Sequence, residues 1–75
     1  MDIGMLWFDN DKKTDTNSKV QRAASYYRDK YGKKPNLCFV HPSTATDGTT
    51  NTNGVEIRTS ETMLPNHFWI GVNRE

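Results

Sequence analysis

Two aspartates, Asp9 and Asp11, stand one residue apart directly after an apolar run in "GMLWFDNDKKTD", residues 4–15. If that run is a strand, both carboxylates lie at its carboxyl end, which is where α/β folds gather their ligands. Carboxylate oxygens suit Mg²⁺, and a bound Mg²⁺ can stabilise a phosphoryl group during its transfer. Magnesium-dependent phosphoryl transfer is therefore one hypothesis for Asp9 and Asp11.

An apolar strand followed by Asp-x-Asp resembles the first motif of haloacid-dehalogenase-type phosphatases, which implies the same phosphoryl-transfer chemistry. The resemblance covers this one stretch, and the later lysine and acidic motifs of that family are not identifiable. The alternative is a polar turn before a helix, in which aspartate side chains pair with nearby backbone amides. We favour the turn, and we predict no catalytic residue, no metal site and no cofactor.

Two histidines and one cysteine are the other side chains that could bind a metal or take part in catalysis. His41 and His67, at predicted strand boundaries, can join the aspartates as metal ligands or act as an acid/base pair if the strand ends converge. Their spacing matches no ligand motif, so we interpret both as packing residues. Cys38 lies in the apolar run 37–40, which suits a reduced, buried thiol, and its side chain should point away from that of His41.

Positive charge is concentrated in residues 12–34, where eight lysines and arginines face two aspartates, a local balance of +6 in a chain of net charge +1. One flank of the helix predicted there, with its C-terminal extension, carries Lys19, Arg22, Tyr26, Lys30, Lys33 and Lys34. Such a surface can neutralise phosphates and stack a base on the tyrosine, so nucleic-acid binding is a second hypothesis. The alternative is a solvated helix face that keeps the protein soluble.

The elements that position these groups follow from periodicity. Val20, Ala24, Tyr27 and Tyr31 recur at helical spacing, so we predict a helix over 16–31 that ends at Gly32. Four further stretches are apolar or alternate apolar with polar residues, which predicts strands over 3–8, 37–41, 55–59 and 67–72.

This order predicts a single α+β domain over residues 1–75, β-α-β-β-β, with about four strands and one amphipathic helix packed on one face of the sheet. Because a whole helix separates the first two strands, we expect them to pair in parallel. Residues 43–54, "STATDGTTNTNG", contain one apolar residue and predict a flexible polar loop.

One helix covers one face of a sheet, yet the first and last strands are apolar at successive positions. We expect the uncovered face to be a protein interface that includes Leu6, Phe8, Phe68 and Ile70. The predicted function is a small non-enzymatic binding module that forms a homodimer or joins a larger complex. The alternative is that residues 43–54 and 60–66, the latter with Met63 and Leu64, fold back over this face.

Size and composition set the remaining limits. A domain of 75 residues buries only about 60% of the surface that its unfolded chain exposes, so a partner would add needed stability. The single cysteine cannot form an internal disulfide, no basic leader is visible, and no apolar stretch reaches the roughly 18 residues of a membrane span. We therefore expect a cytoplasmic protein that does not bind membranes.

Overall fold

The computed structural model describes residues 4–73, which form one helix and a five-stranded mixed sheet. In chain order the elements are β1 (Gly4–Phe8), α1 (Thr16–Tyr31), β2 (Leu37–Val40), β3 (Asn51–Thr52), β4 (Val55–Thr59) and β5 (His67–Gly71). The predicted α+β class is confirmed, with one helix packed on one face of the sheet. The sheet has one strand more than the predicted four.

Helix α1 begins and ends at the predicted residues because both ends carry strong local signals. The Asp15 carboxylate accepts a hydrogen bond from the backbone N–H of Ser18 at 2.8 Å, which satisfies one of the unpaired amides of the first turn. Gly32 adopts the left-handed conformation (φ 71°), and its N–H donates to the carbonyl of Arg28 at 2.8 Å. The face towards the sheet buries Thr16, Val20, Ala23 and Tyr27.

The strand order is β1-β5-β2-β4-β3. Strand β5 pairs antiparallel with both β1 and β2, so those two strands run in the same direction without touching, and β2 pairs in parallel with β4. The predicted pairing of the first two strands was therefore wrong. Phe68 and Ile70 of β5 are both 0% exposed, and a strand with such side chains buries more apolar surface between two neighbours than at an edge.

Residues 43–54 are not all loop, because Asn51–Thr52 pairs antiparallel with β4 and forms a hairpin. Asn53 and Gly54 make its two-residue turn with positive φ angles of 52° and 86°. Asn-Gly is the sequence that such turns favour, since both positions need φ above zero. The strand is only two residues long, so periodicity did not reveal it.

The hydrophobic core lies between α1 and one face of the sheet. Met5, Ile70, Cys38 and Ile57 form one row across four neighbouring strands, and all are buried. In the next row Leu6, Trp69, Phe39 and Arg58 project to the opposite face, because successive side chains of a strand alternate between faces.

Candidate functional site: the uncovered sheet face

The face of the sheet opposite α1 exposes large apolar side chains. Leu6 is 62% exposed and Phe8 is 56% exposed, both on the edge strand β1. Trp69 and Phe39, on the next two strands, are half-buried, with their ring centroids 6.3 Å apart. The Phe8 ring lies 4.9 Å from the ring of His67 on β5. These five residues form a contiguous apolar and aromatic surface, which we call the uncovered face.

A shallow hollow of about 300 Å³ lies on the same face of the sheet. Phe39 and Trp69 line it from the sheet, and Met63, Ser60 and Thr62 line it from the segment after β4. The predicted fold-back of residues 60–66 is thus partly observed, since it reaches the hollow but leaves Leu6 and Phe8 exposed. Of residues 43–54, Ala45 packs against the hydrophobic core.

The position of the Trp69 ring depends on Gly4. A Cβ atom on Gly4 would lie 1.6 Å from Cζ2 of Trp69, so the indole occupies the space that any side chain at residue 4 would need. Gly4 and Trp69 belong to paired strands, with Gly4 opposite Gly71. The missing side chain at Gly4 therefore lets the indole lie flat across β1.

Two of the four residues predicted for the interface lie elsewhere. Phe68 and Ile70 are 0% exposed beneath α1, so placing them on the uncovered face was wrong. Strand β5 is apolar on both faces, and hydrophobicity alone does not tell which alternate set faces the helix. Sequence reasoning therefore missed Trp69 and Phe39 as members of this face. Because side chains alternate along β5, Trp69 and Phe68 must point to opposite faces of the sheet. Knowing the face of one of them would have given the face of the other.

Part of the predicted basic flank of α1 makes internal contacts. Arg22 Nη1 lies 3.5 Å from Asp9 Oδ2 and 3.7 Å from Asp11 Oδ2, and Arg22 Nη2 donates to the Thr14 hydroxyl at 3.3 Å. The Tyr26 ring packs on Trp7, with a centroid distance of 5.3 Å.

At the C-terminal end of the flank, the Lys30 ammonium lies 5.4 Å from the centre of the Tyr31 ring. Lys30, Lys33 and Lys34 are exposed, whereas Lys19 is half-buried. Nucleic-acid binding by this flank stays a prediction.

Asp9 and Asp11 form a polar turn that leads into α1, as the favoured interpretation requires. Asp9 Oδ1 accepts the N–H of Asp11 at 3.0 Å, and Asp11 Oδ1 accepts the N–H of Lys13 at 2.9 Å. The Thr14 hydroxyl donates to Asp11 Oδ2 at 2.6 Å, and this bond, more than the neighbouring charge of Arg22, lowers the pKa of the Asp11 carboxyl. Both carboxylates therefore have structural partners, and phosphoryl transfer stays an untested hypothesis.

The remaining candidate groups do not converge. Among residues 4–73, no three His, Cys, Asp or Glu side chains lie close enough to hold a metal ion. His41 Nδ1 lies 2.7 Å from the Ser43 hydroxyl, while His67 Nδ1 lies 2.9 Å from the carbonyl of Pro65. Cys38 is fully buried as predicted, and burial raises the pKa of its thiol to about 12, so it is a neutral, unreactive group near neutral pH.

Comparisons with known proteins do not place the chain in a family: no protein-family model matches it, and neither curated proteins nor solved structures show a significant match. Within the described residues, no helix has the length and apolar character needed to cross a membrane.

Proposed function

We propose that this chain is a small non-catalytic association module that binds a second copy of itself through the uncovered face. The observation that carries the proposal is the arrangement of that face. Leu6 and Phe8 protrude on β1, and the hollow beside Phe39 lies two strands away on the same surface.

This arrangement is self-complementary about a twofold axis. Leu6, Trp69 and Phe39 occupy one row across β1, β5 and β2, and a strand spacing of about 4.8 Å puts Leu6 roughly 10 Å from Phe39. An axis through the middle of that row, near Trp69, brings Leu6 of each copy to the hollow of the other. Twofold interfaces consist of such reciprocal contacts, in which the same patch is used by both partners.

The free energy of burying apolar surface also favours binding of a second copy. Fully burying an exposed leucine or phenylalanine side chain is worth about 1.5–3 kcal/mol, and Leu6 and Phe8, which are already partly buried, would each contribute part of that value in both copies. The rim of the face carries Glu56 and Arg58, which already form an ion pair at 2.6 Å, so little net charge opposes the approach of an identical surface.

The test is the solution mass of the protein and of two matched variants, measured by light scattering after size exclusion and by sedimentation over a range of concentrations. The unmodified chain should have twice the mass of one chain. Leu6→Glu should be a monomer, because the interface would bury an unpaired charge. Leu64→Glu is the control, since Leu64 is 64% exposed and lies outside the lining of the hollow, and it should remain a dimer.

Circular dichroism should show that all three proteins are folded, because Leu6 is exposed within one chain. A monomeric unmodified protein at high concentration would refute the proposal. So would a dimer that Leu6→Glu leaves intact.

A further inference from the structure

A second concave surface lies on the helix side of the sheet, between α1 and the β3–β4 hairpin. This groove encloses about 290 Å³, close to the lower limit of about 300 Å³ for small-molecule pockets. Its apolar floor is made by Ala24, Pro35 and Val55, of which Pro35 and Val55 are buried. Because it lies on the opposite side from the uncovered face, self-association would leave it open.

The hairpin wall of the groove is attached to the helix by side-chain hydrogen bonds. Thr52 is 4% exposed, and its hydroxyl accepts from Gln21 Nε2 at 3.1 Å and donates to Asn17 Oδ1. The turn at Asn53 and Gly54 closes this wall tightly. The groove is therefore a preformed feature between two connected elements, which lowers the entropy cost of binding a ligand.

Two cationic side chains, Arg28 and Lys34, line the groove, and no acidic residue among residues 4–73 does. In the part of the chain that the structure describes, the ion pairs engage Arg22 and Arg58, and neither Arg28 nor Lys34 has a carboxylate within 4 Å. The Lys34 ammonium lies against the turn, 3.3 Å from where a Cβ atom of Gly54 would be. Both cations are thus directed to the groove without an internal counter-ion.

The neutral side chains around these cations add hydrogen-bonding capacity. Ser25 and Asn53 line the same groove and offer a hydroxyl and an amide donor, whereas the side-chain amide of Gln21 already donates to Thr52 and Asn17. Arginine and lysine beside neutral donors match the oxygens of a phosphate group, to which the guanidinium can donate two parallel hydrogen bonds. An acidic residue in the lining would have opposed this ligand.

We infer that the groove binds the phosphate group of a small ligand. Arg28 and Lys34 contact the phosphoryl oxygens, and the floor of Ala24, Pro35 and Val55 accommodates the organic part of the ligand. The inference does not depend on self-association, because the residues and the face of the molecule are different.

The test is a titration of the ¹⁵N-labelled chain, followed by amide chemical shifts, with three probes: inorganic phosphate, adenosine 5′-monophosphate and a short single-stranded DNA. Phosphate and the mononucleotide should cause saturable shifts at the amides of Ser25, Arg28 and Gly54. The mononucleotide should bind more tightly than inorganic phosphate, because the apolar floor contacts its organic part, and equal affinities would contradict the assigned role of Ala24, Pro35 and Val55.

Two double variants with the same change in charge show whether the groove is responsible. R28Q/K34Q should weaken the binding of both small probes at least about tenfold, the loss expected when charge-assisted hydrogen bonds are removed. K30Q/K33Q removes two charges outside the groove lining and should leave affinity within about twofold. Both variants change only exposed side chains, so both should fold.

Three results would overturn the inference. The first is the absence of saturable shifts with phosphate and the mononucleotide. The second is equal weakening by both double variants, which would indicate a diffuse attraction to positive charge. The third is binding of the DNA alone, with shifts along Lys19 and Lys30, which would favour the helix flank instead.

Discussion

Asp15 stabilises the start of α1 through hydrogen bonds to Ser18 that depend on the charge of its carboxylate. The bond from the Ser18 backbone N–H lowers the pKa of the Asp15 carboxyl below its ordinary value of 3.8. A carboxyl with a lowered pKa in the folded state stabilises that state at pH values above 3.8. The contribution is lost as pH falls through the folded-state pKa, because the protonated group is a weaker acceptor for the helix amide.

Replacing Asp15 by asparagine should remove the negative charge while keeping a side chain that can cap the helix. Asparagine caps helices about as well as aspartate, but it does not titrate and lacks the favourable interaction with the helix dipole. Urea unfolding should therefore show Asp15→Asn to be less stable than the unmodified chain near pH 7, with the difference shrinking towards about pH 2. Asp11 and Glu56 also have lowered pKa values, but they are present in both proteins and cancel in the comparison. The charge of Asp47 raises the pKa of the Asp15 carboxyl, and Asp15→Asn removes this repulsion, which reduces the expected difference in stability. A difference that does not vary with pH would contradict this account.

The pairing of β1 with β5 determines the shape of the uncovered face. Gly4 leaves room for the Trp69 ring, and the ring in turn forms one side of the hollow. Strand β1 is also an edge strand without charged residues, whereas the opposite edge strand, β3, is only two residues long. An uncharged edge strand is uncommon in a protein that has no partner on that side.

Gly4→Ala should therefore force the Trp69 ring out of its place. We expect a loss of about 1–3 kcal/mol in the free energy of unfolding, as for other overpacking substitutions, together with weaker self-association. In a Trp69→Leu background the same substitution should cost less, because the smaller side chain does not cover residue 4. Urea unfolding of the four proteins gives this coupling energy. Additive costs would show that the ring and Gly4 do not interact.

As a whole molecule, the single chain is already compact. Its radius of gyration of 11.1 Å agrees with about 11 Å expected for a folded domain of this length. Ten buried residues form a continuous core between helix and sheet without any residue of the uncovered face. Self-association should therefore join two folded chains, and not be a condition for folding.

This relation between folding and association predicts a melting temperature that depends on concentration. Only folded chains associate into the dimer, and unfolded chains do not. Mass action should therefore raise the melting temperature of the unmodified chain as its concentration increases. Leu6→Glu should melt at one temperature over the same range. Calorimetry over a hundredfold range of concentration provides the measurement, and a constant melting temperature for both proteins would count against self-association.

Local signals in the sequence were enough to predict the helix from 16 to 31, the positions of four strands, the buried thiol of Cys38 and the polar turn at Asp9 and Asp11. Each of these depends on neighbours within a few residues: a capping carboxylate, a glycine at a helix end, an apolar run. Only the tertiary structure decided that β5 lies between β1 and β2, that Phe68 faces the helix while Trp69 faces away, and that Arg28 and Lys34 line one groove. These features depend on which distant segments pair, and in strands that are apolar on both faces the pattern of hydrophobic residues is the same for either choice.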